Sequence, residues 1–278
     1  MESVTEKNEK ETPIKLSESK RAFELDVIRG FAIFMMILHH TAYDFRYVLE
    51  YKNLFTFISG NCLWFWGLLQ PFFLCFFVGV SGICCQFSRN NFKRAMKLGL
   101  VAIGFTIATV VADHFLDLGC TIYFNVLHLL TVATLLFAVF DHFERKKTGE
   151  RQSRGGTLVL LLIVLGSMFL SNAIPTYNEV FKNGFVFILG IEPHPDFAFA
   201  MGDEMGIFPW LGVFFLGVLI GRLVYTNKET LFPRTPKALR TAMKPFEWIG
   251  QHSLLIYILH QPIVLGILYG LRAIGVLP

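Results

Sequence analysis

One apolar stretch, Glu24 to Asp44, carries side chains equipped for chemistry: Asp26, Arg29, the pair His39 and His40, Tyr43 and Asp44. A histidine beside a carboxylate can act as general base on a hydroxyl or amine, or carry an acyl group briefly. An arginine beside a carboxylate either pairs with it or offers a planar cation to phosphates and amides. On an α-helix the steps from Arg29 to His40 amount to about 1100°, leaving the two side chains within about 20° of each other and about 16 Å apart along the axis. Asp26, Arg29, Ile33, Met36, His40 and Asp44 therefore share one face, with an Asp-Arg pair at one end and a His-Asp pair at the other. His40 takes precedence over His39 because only His40 lies on the Arg29 face. A second polar stripe, Ser253, Tyr257 and His260, falls at i, i+4 and i+7 and is a natural partner for the first. Asn125 and His128, one turn apart, could face the same stripe, although a lone histidine hydrogen-bonded to a neighbouring helix is the simpler account of them.

The elements that must hold these residues are membrane helices. Of the 278 residues 54% are hydrophobic, 30 of them phenylalanine, which marks an all-α, polytopic transmembrane bundle. Ionisable groups are costly in such surroundings, so function is their default explanation. Seven apolar runs are about long enough to cross a bilayer: 27–46, 64–86, 95–112, 121–140, 157–175, 207–225 and 248–271. Lysines and arginines precede the first run and fill the second-to-third, fourth-to-fifth and sixth-to-seventh connections, whereas Asp117, Glu179, Glu192, Asp196, Asp203 and Glu204 lie in the others. The positive-inside rule then places the N-terminus in the cytoplasm and the C-terminus outside. Asp26 and Arg29 fall at the cytoplasmic mouth of the first span and His40 in its outer half.

Residues 1–23 read as a disordered cytoplasmic tail, residues 24–273 as the membrane domain, and 176–206 as an outer loop whose apolar piece, Phe185 to Ile191, suits a re-entrant or interfacial helix. Gln70-Pro71 suits a kink in the second span, Gly79, Ser81 and Gly82 close packing, and Pro262 a bend beyond His260. The formal net charge of +4 is accounted for by loop lysines and arginines, so nucleic-acid binding is not expected. The five cysteines show no zinc spacing, and no metal is expected; a disulfide between Cys62 and Cys120, both at outer helix ends, is geometrically conceivable. No Walker loop, GxGxxG or GxSxG element is present.

Three ordered motifs resemble the bacterial members of the heparan-α-glucosaminide N-acetyltransferase catalytic-domain family, part of a broader set of transmembrane acyltransferases. They are Glu24-Leu25-Asp26-x-x-Arg29-Gly30-x-Ala32 with His40 and Tyr43-Asp44; Phe208-Pro209-Trp210-Leu211-Gly212 with Gly217; and His252-Ser253-Leu254-x-Ile256-Tyr257-x-Leu259-His260-Gln261-Pro262. The resemblance implies a multi-pass enzyme of the bacterial cytoplasmic membrane that moves an acetyl group from cytosolic acetyl-CoA to a sugar or glycan acceptor outside. His40 and Asp44 would be catalytic, and Asp26, Arg29, Tyr43, Trp210, Ser253, Tyr257 and His260 would bind donor or acceptor. The lysosomal enzyme of the family carries its catalytic histidine beyond the first membrane segment, whereas this chain has none between His40 and His114. Its expected partners are the bilayer, acyl-CoA and a glycan or sugar acceptor, with a homodimer left open. A transporter or flippase using the polar stripe without chemistry is the alternative.

Overall fold

The structure is a computed structural model that describes residues 22–45, 49, 68–116, 119–149, 152–173, 184–191 and 205–277. The N-terminal tail, Cys62 and the acidic residues 117, 179, 192, 196, 203 and 204 lie outside these. Among the described residues the architecture is wholly helical: α1 (Phe23–Tyr43), α2 (Gln70–Phe87), α3 (Asn91–Leu116), α4 (Val126–Thr148), α5 (Arg154–Ala173), a 3-10 helix (Gly184–Leu189), α6 (Trp210–Leu223), α7 (Lys237–Gln251) and α8 (Ser253–Ala273). Six of them, α1 to α5 and α8, are long and apolar enough to cross a membrane. Their outward faces are apolar too: Leu100, Phe115 and Phe169 are all about 70% exposed or more, as lipid-facing positions should be. This is a multi-pass membrane protein.

Three features depart from expectation. The run 207–225 contributes a helix of 14 residues, shorter than the other spans, because Pro209 ends the backbone hydrogen-bond ladder at its start. The run 248–271 is interrupted at His252, whose φ of −103° and ψ of 16° end α7 and start α8; upstream, the helix reaches back to Lys237. Pro71 stands at the first turn of α2, where its missing N–H costs little, and the start of the expected run, 64–67, lies outside the described residues. Pro262 lies inside α8, which continues to Ala273.

Without a hydrophobic drive between helices in lipid, close packing depends on small residues. α2 and α6 meet through Gly82 against the Phe214 carbonyl and Gly217 against that of Gly79; a Cβ at either glycine would collide with backbone. α1 meets α7 the same way, Gly30 against Phe246 and Gly250 against Asp26. The Phe246 ring packs edge-on to Phe31 and Phe34, centroids 5.8 Å away in each case. Further along both chains His40 meets His260 and Asp44 meets Gln261, so α8 leads away from the α1–α7 contact alongside α1. α4 starts at Asn125, whose side chain accepts from Leu127 N, and ends at Gly149 with φ +70°, a left-handed stop that glycine adopts freely. The core gathers around Phe137, Phe214, Phe215, Leu129 and Val218, all nearly inaccessible.

Candidate functional site

Among the described residues, two cavities adjoin α1. The first, about 300 Å³, is walled by α1 through Ile33, Met36, His39 and His40, by α2 from Gln70 to Phe77, and by Met205, Gly206, Trp210 and Tyr257. The second, about 850 Å³, is walled by Arg29 of α1, by Lys93, Arg94 and Lys97 of α3, and by Ser81, Ser253 and Tyr257. One face of α1 thus serves both chambers, Arg29 in the basic one and His40 in the other.

In the histidine chamber, the His40 ring lies 5.1 Å from that of His260 and 6.0 Å from that of His39. His260 Nδ1 is 2.7 Å from the Tyr257 carbonyl; a carbonyl only accepts, so Nδ1 carries the proton and Nε2 keeps its lone pair. That Nε2 is buried without a hydrogen-bond partner. Asp44 is 1% exposed and accepts from Gln261 Nε2 at 2.9 and 3.1 Å. The carboxylate expected to serve His40 is therefore engaged by the amide following His260. Met205 N donates to Phe124 O, and Ile207 N donates to Ile188 O at 2.6 Å, which ties the chamber wall to the 3-10 helix. Trp210 lines this chamber, whereas Tyr43, 46% exposed at the end of α1, lines neither.

The basic chamber holds four cationic side chains on two helices. Arg29 contacts Cys84 Sγ at 2.8 Å and Asp26 Oδ1 at 3.9 Å; Arg94 contacts Cys85 Sγ at 3.7 Å. Asp26 is buried beside Arg29. The Lys93-Arg94 pair had an explanation from charge topology alone; its place in a cavity wall, with Lys97 one turn on, was not anticipated. Ser253 belongs to this chamber and His260 to the other end, so the second polar stripe is divided between them at Tyr257.

Several polar groups around the chambers are hydrogen-bonded to neighbouring elements. Asn125, inaccessible to solvent, donates through Nδ2 to Tyr257 Oη at 3.2 Å. His128 bonds Asn125 Oδ1 at 3.0 Å and Thr106 Oγ1 at 3.2 Å, a structural role that brings it no nearer to His40. Glu24 accepts from Thr230 Oγ1 at 2.7 Å and Leu231 N at 2.9 Å, fixing the connection after α6. Burial, and then the Glu24 carboxylate, push the Tyr225 phenol well above its usual range. Among the described residues no cluster of three or more His, Cys, Asp or Glu is placed to hold a metal ion.

Fold and site define a multi-pass helical membrane protein with a histidine chamber beside a basic one. Residues 21–262 match the model of the heparan-alpha-glucosaminide N-acetyltransferase catalytic family, and the chain belongs to that family. No curated protein and no solved structure matches it. Membership places the protein among membrane acetyltransferases and carries the class transferase.

Proposed function

We propose that the protein transfers an acetyl group from acetyl-CoA to a hydroxyl or amine of a sugar or envelope glycan, with donor and acceptor meeting at His40. The observation that carries this reading is the pairing of chambers, a cationic one and a histidine one that share two wall residues. The cations Arg29, Lys93, Arg94 and Lys97 suit the phosphates of coenzyme A, arginine through paired hydrogen bonds and lysine as a point charge. The thioester then faces the histidine chamber.

There His40 takes the proton from the acceptor O–H or N–H as the new bond to the thioester carbonyl carbon forms. The C–S bond breaks as the tetrahedral intermediate collapses, and the departing thiolate takes up the proton. His260, its Nδ1 proton committed to the Tyr257 carbonyl, orients His40 by ring contact, while Trp210 offers an aromatic face to a sugar ring. Lysine and arginine placement favours donor entry from the cytoplasm and acceptor entry from outside, in the cytoplasmic membrane of a bacterium.

Purified protein in vesicles, given radiolabelled acetyl-CoA and amino sugars, should produce labelled sugar, and His40→Ala should reduce the rate about 10²- to 10⁴-fold. Equal labelling by both proteins refutes the role of His40. Sugar crossing the vesicle wall without any acyl donor would support the transporter reading instead.

A further inference from the structure

The basic chamber and the histidine chamber have two residues in common, Phe77 of α2 and Tyr257 of α8. Their rings lie nearly parallel, 16° between planes, with centroids 6.4 Å apart. Tyr257 is buried and anchored: its hydroxyl accepts from Asn125, its carbonyl holds His260, and its ring also meets Phe105 at 6.4 Å. Phe77 has a different hold. It belongs to the turn of α2 whose carbonyl accepts from Ser81 Oγ at 2.9 Å, and its side chain is positioned by packing alone, which a rotamer change can alter. Two aromatic leaves thus face each other where, among the described residues, the two chambers share a wall.

We propose that Phe77 and Tyr257 form a constriction that separates the two chambers and admits donor groups to His40 according to their width. The acyl identity follows from this, so the inference rests on the acyl-transfer reading and deepens it. An acyl group must pass between the rings ahead of the arm that carries it: acetyl is slender, whereas isobutyryl and benzoyl are broad. The same closure keeps water on the basic side from the thioester, so widening it should also raise hydrolysis without acceptor. Tyr257 and Phe77 act here as specificity-determining residues, apart from the proton transfer at His40.

The test has two arms. In the first, transfer from acetyl-, isobutyryl- and benzoyl-CoA is compared for the unaltered protein, Phe77→Leu, Phe77→Ala and Tyr257→Phe. The proposal expects the isobutyryl-to-acetyl ratio of kcat/KM to rise at least tenfold in Phe77→Ala and less in Phe77→Leu. Tyr257→Phe, which keeps the ring and loses the Asn125 bond, should fall between Phe77→Leu and the unaltered protein. In the second arm, which needs no activity, Met36→Cys places a thiol in the histidine chamber. A membrane-impermeant methanethiosulfonate is applied from the side where Lys93 and Lys97 open, and modification of that cysteine is followed by mass spectrometry. It should proceed at least tenfold faster when Phe77→Ala is added. Acetyl transfer by the unaltered protein with an unchanged acyl ratio in Phe77→Ala overturns the constriction and leaves acyl transfer standing. Absent transfer together with faster cysteine modification keeps the constriction and rejects the donor reading. Unchanged modification rates overturn the constriction whatever the activity.

Discussion

The buried ion pair of Glu144 and Arg222 offers the sharpest test of how the bundle is held together. Arg222 Nη1 and Nη2 donate to the two carboxylate oxygens at 3.0 and 2.7 Å, and the side chains are 2% and 3% exposed. Ser153 adds its backbone N–H at 3.0 Å and its hydroxyl at 2.9 Å to Glu144 Oε1. The pair ties α4 to α6, with the start of α5 wrapped round it. Arg222→Met removes both charged donors and leaves a buried carboxylate with two neutral ones. Breaking a pair of this kind costs about 3–5 kcal/mol, because the surviving charge is uncompensated. For a domain of this size about 2–4 °C of Tm accompanies each kcal/mol, so the melting temperature should fall by about 6–20 °C. The double variant Arg222→Met with Glu144→Leu buries no charge and should regain most of the loss. The assay is thermal unfolding in one detergent, read by tryptophan fluorescence. A loss below about 1 kcal/mol for Arg222→Met would show that the carboxylate reaches water there, contrary to its burial. A double variant as unstable as the single one would also refute the argument, since the fault would then lie in packing.

Other expectations address the two chambers and their frame. Lys93→Ala and Lys97→Ala should raise KM for acetyl-CoA more than they lower kcat, and the effect should shrink in high salt as screening grows; a pure kcat defect would exclude them from donor binding. Gly250→Val should separate α7 from α1, because its side chain would run into the Asp26 backbone, and the loss of folded protein should show as aggregation on size-exclusion chromatography. Burial, with Asp113 beside it, pushes the Cys120 thiol up, so its alkylation should be slow at neutral pH and accelerate only above the ordinary thiol range; rapid labelling at pH 7 would contradict this.

What the sequence revealed depended on distance along the chain. The shared face of Arg29 and His40 is a property of one helix, and the structure uses that face at both chambers. The long-range pairs were not readable in this way. Asp44 is bound by Gln261, Tyr257 by Asn125 and Arg222 by Glu144, each across a large separation, and nothing in local spacing selects among the polar groups of neighbouring spans. The interruption at His252 was equally hidden, since the apolar run passes through it with no proline at that point. Lys93 and Arg94 were visible but over-explained, because a charge that satisfies the orientation of a loop carries no mark of also facing a cavity.

The interruption at His252 explains why the chambers exist at all. Below it, α7 is locked to α1 by backbone-to-backbone contact at Gly30 and Gly250, a fit with no room for a ligand. Had that fit continued, α8 would close on α1 along its whole length and Met36, His39 and His40 would be covered. Instead the backbone turns at His252, where the Nδ1 atom lies 2.9 Å from the Trp248 carbonyl and the two rings pack with centroids 4.7 Å apart. Contact between α1 and α8 is much sparser than that between α1 and α7, and His40 meets His260 and Asp44 meets Gln261 at its far end. Two helices clamped at one end, parted in the middle and rejoined by polar contacts at the other leave a gap between clamp and rejoining point. Tyr257 stands in that gap, which makes the glycine clamp and the Asp44–Gln261 bond joint determinants of chamber width.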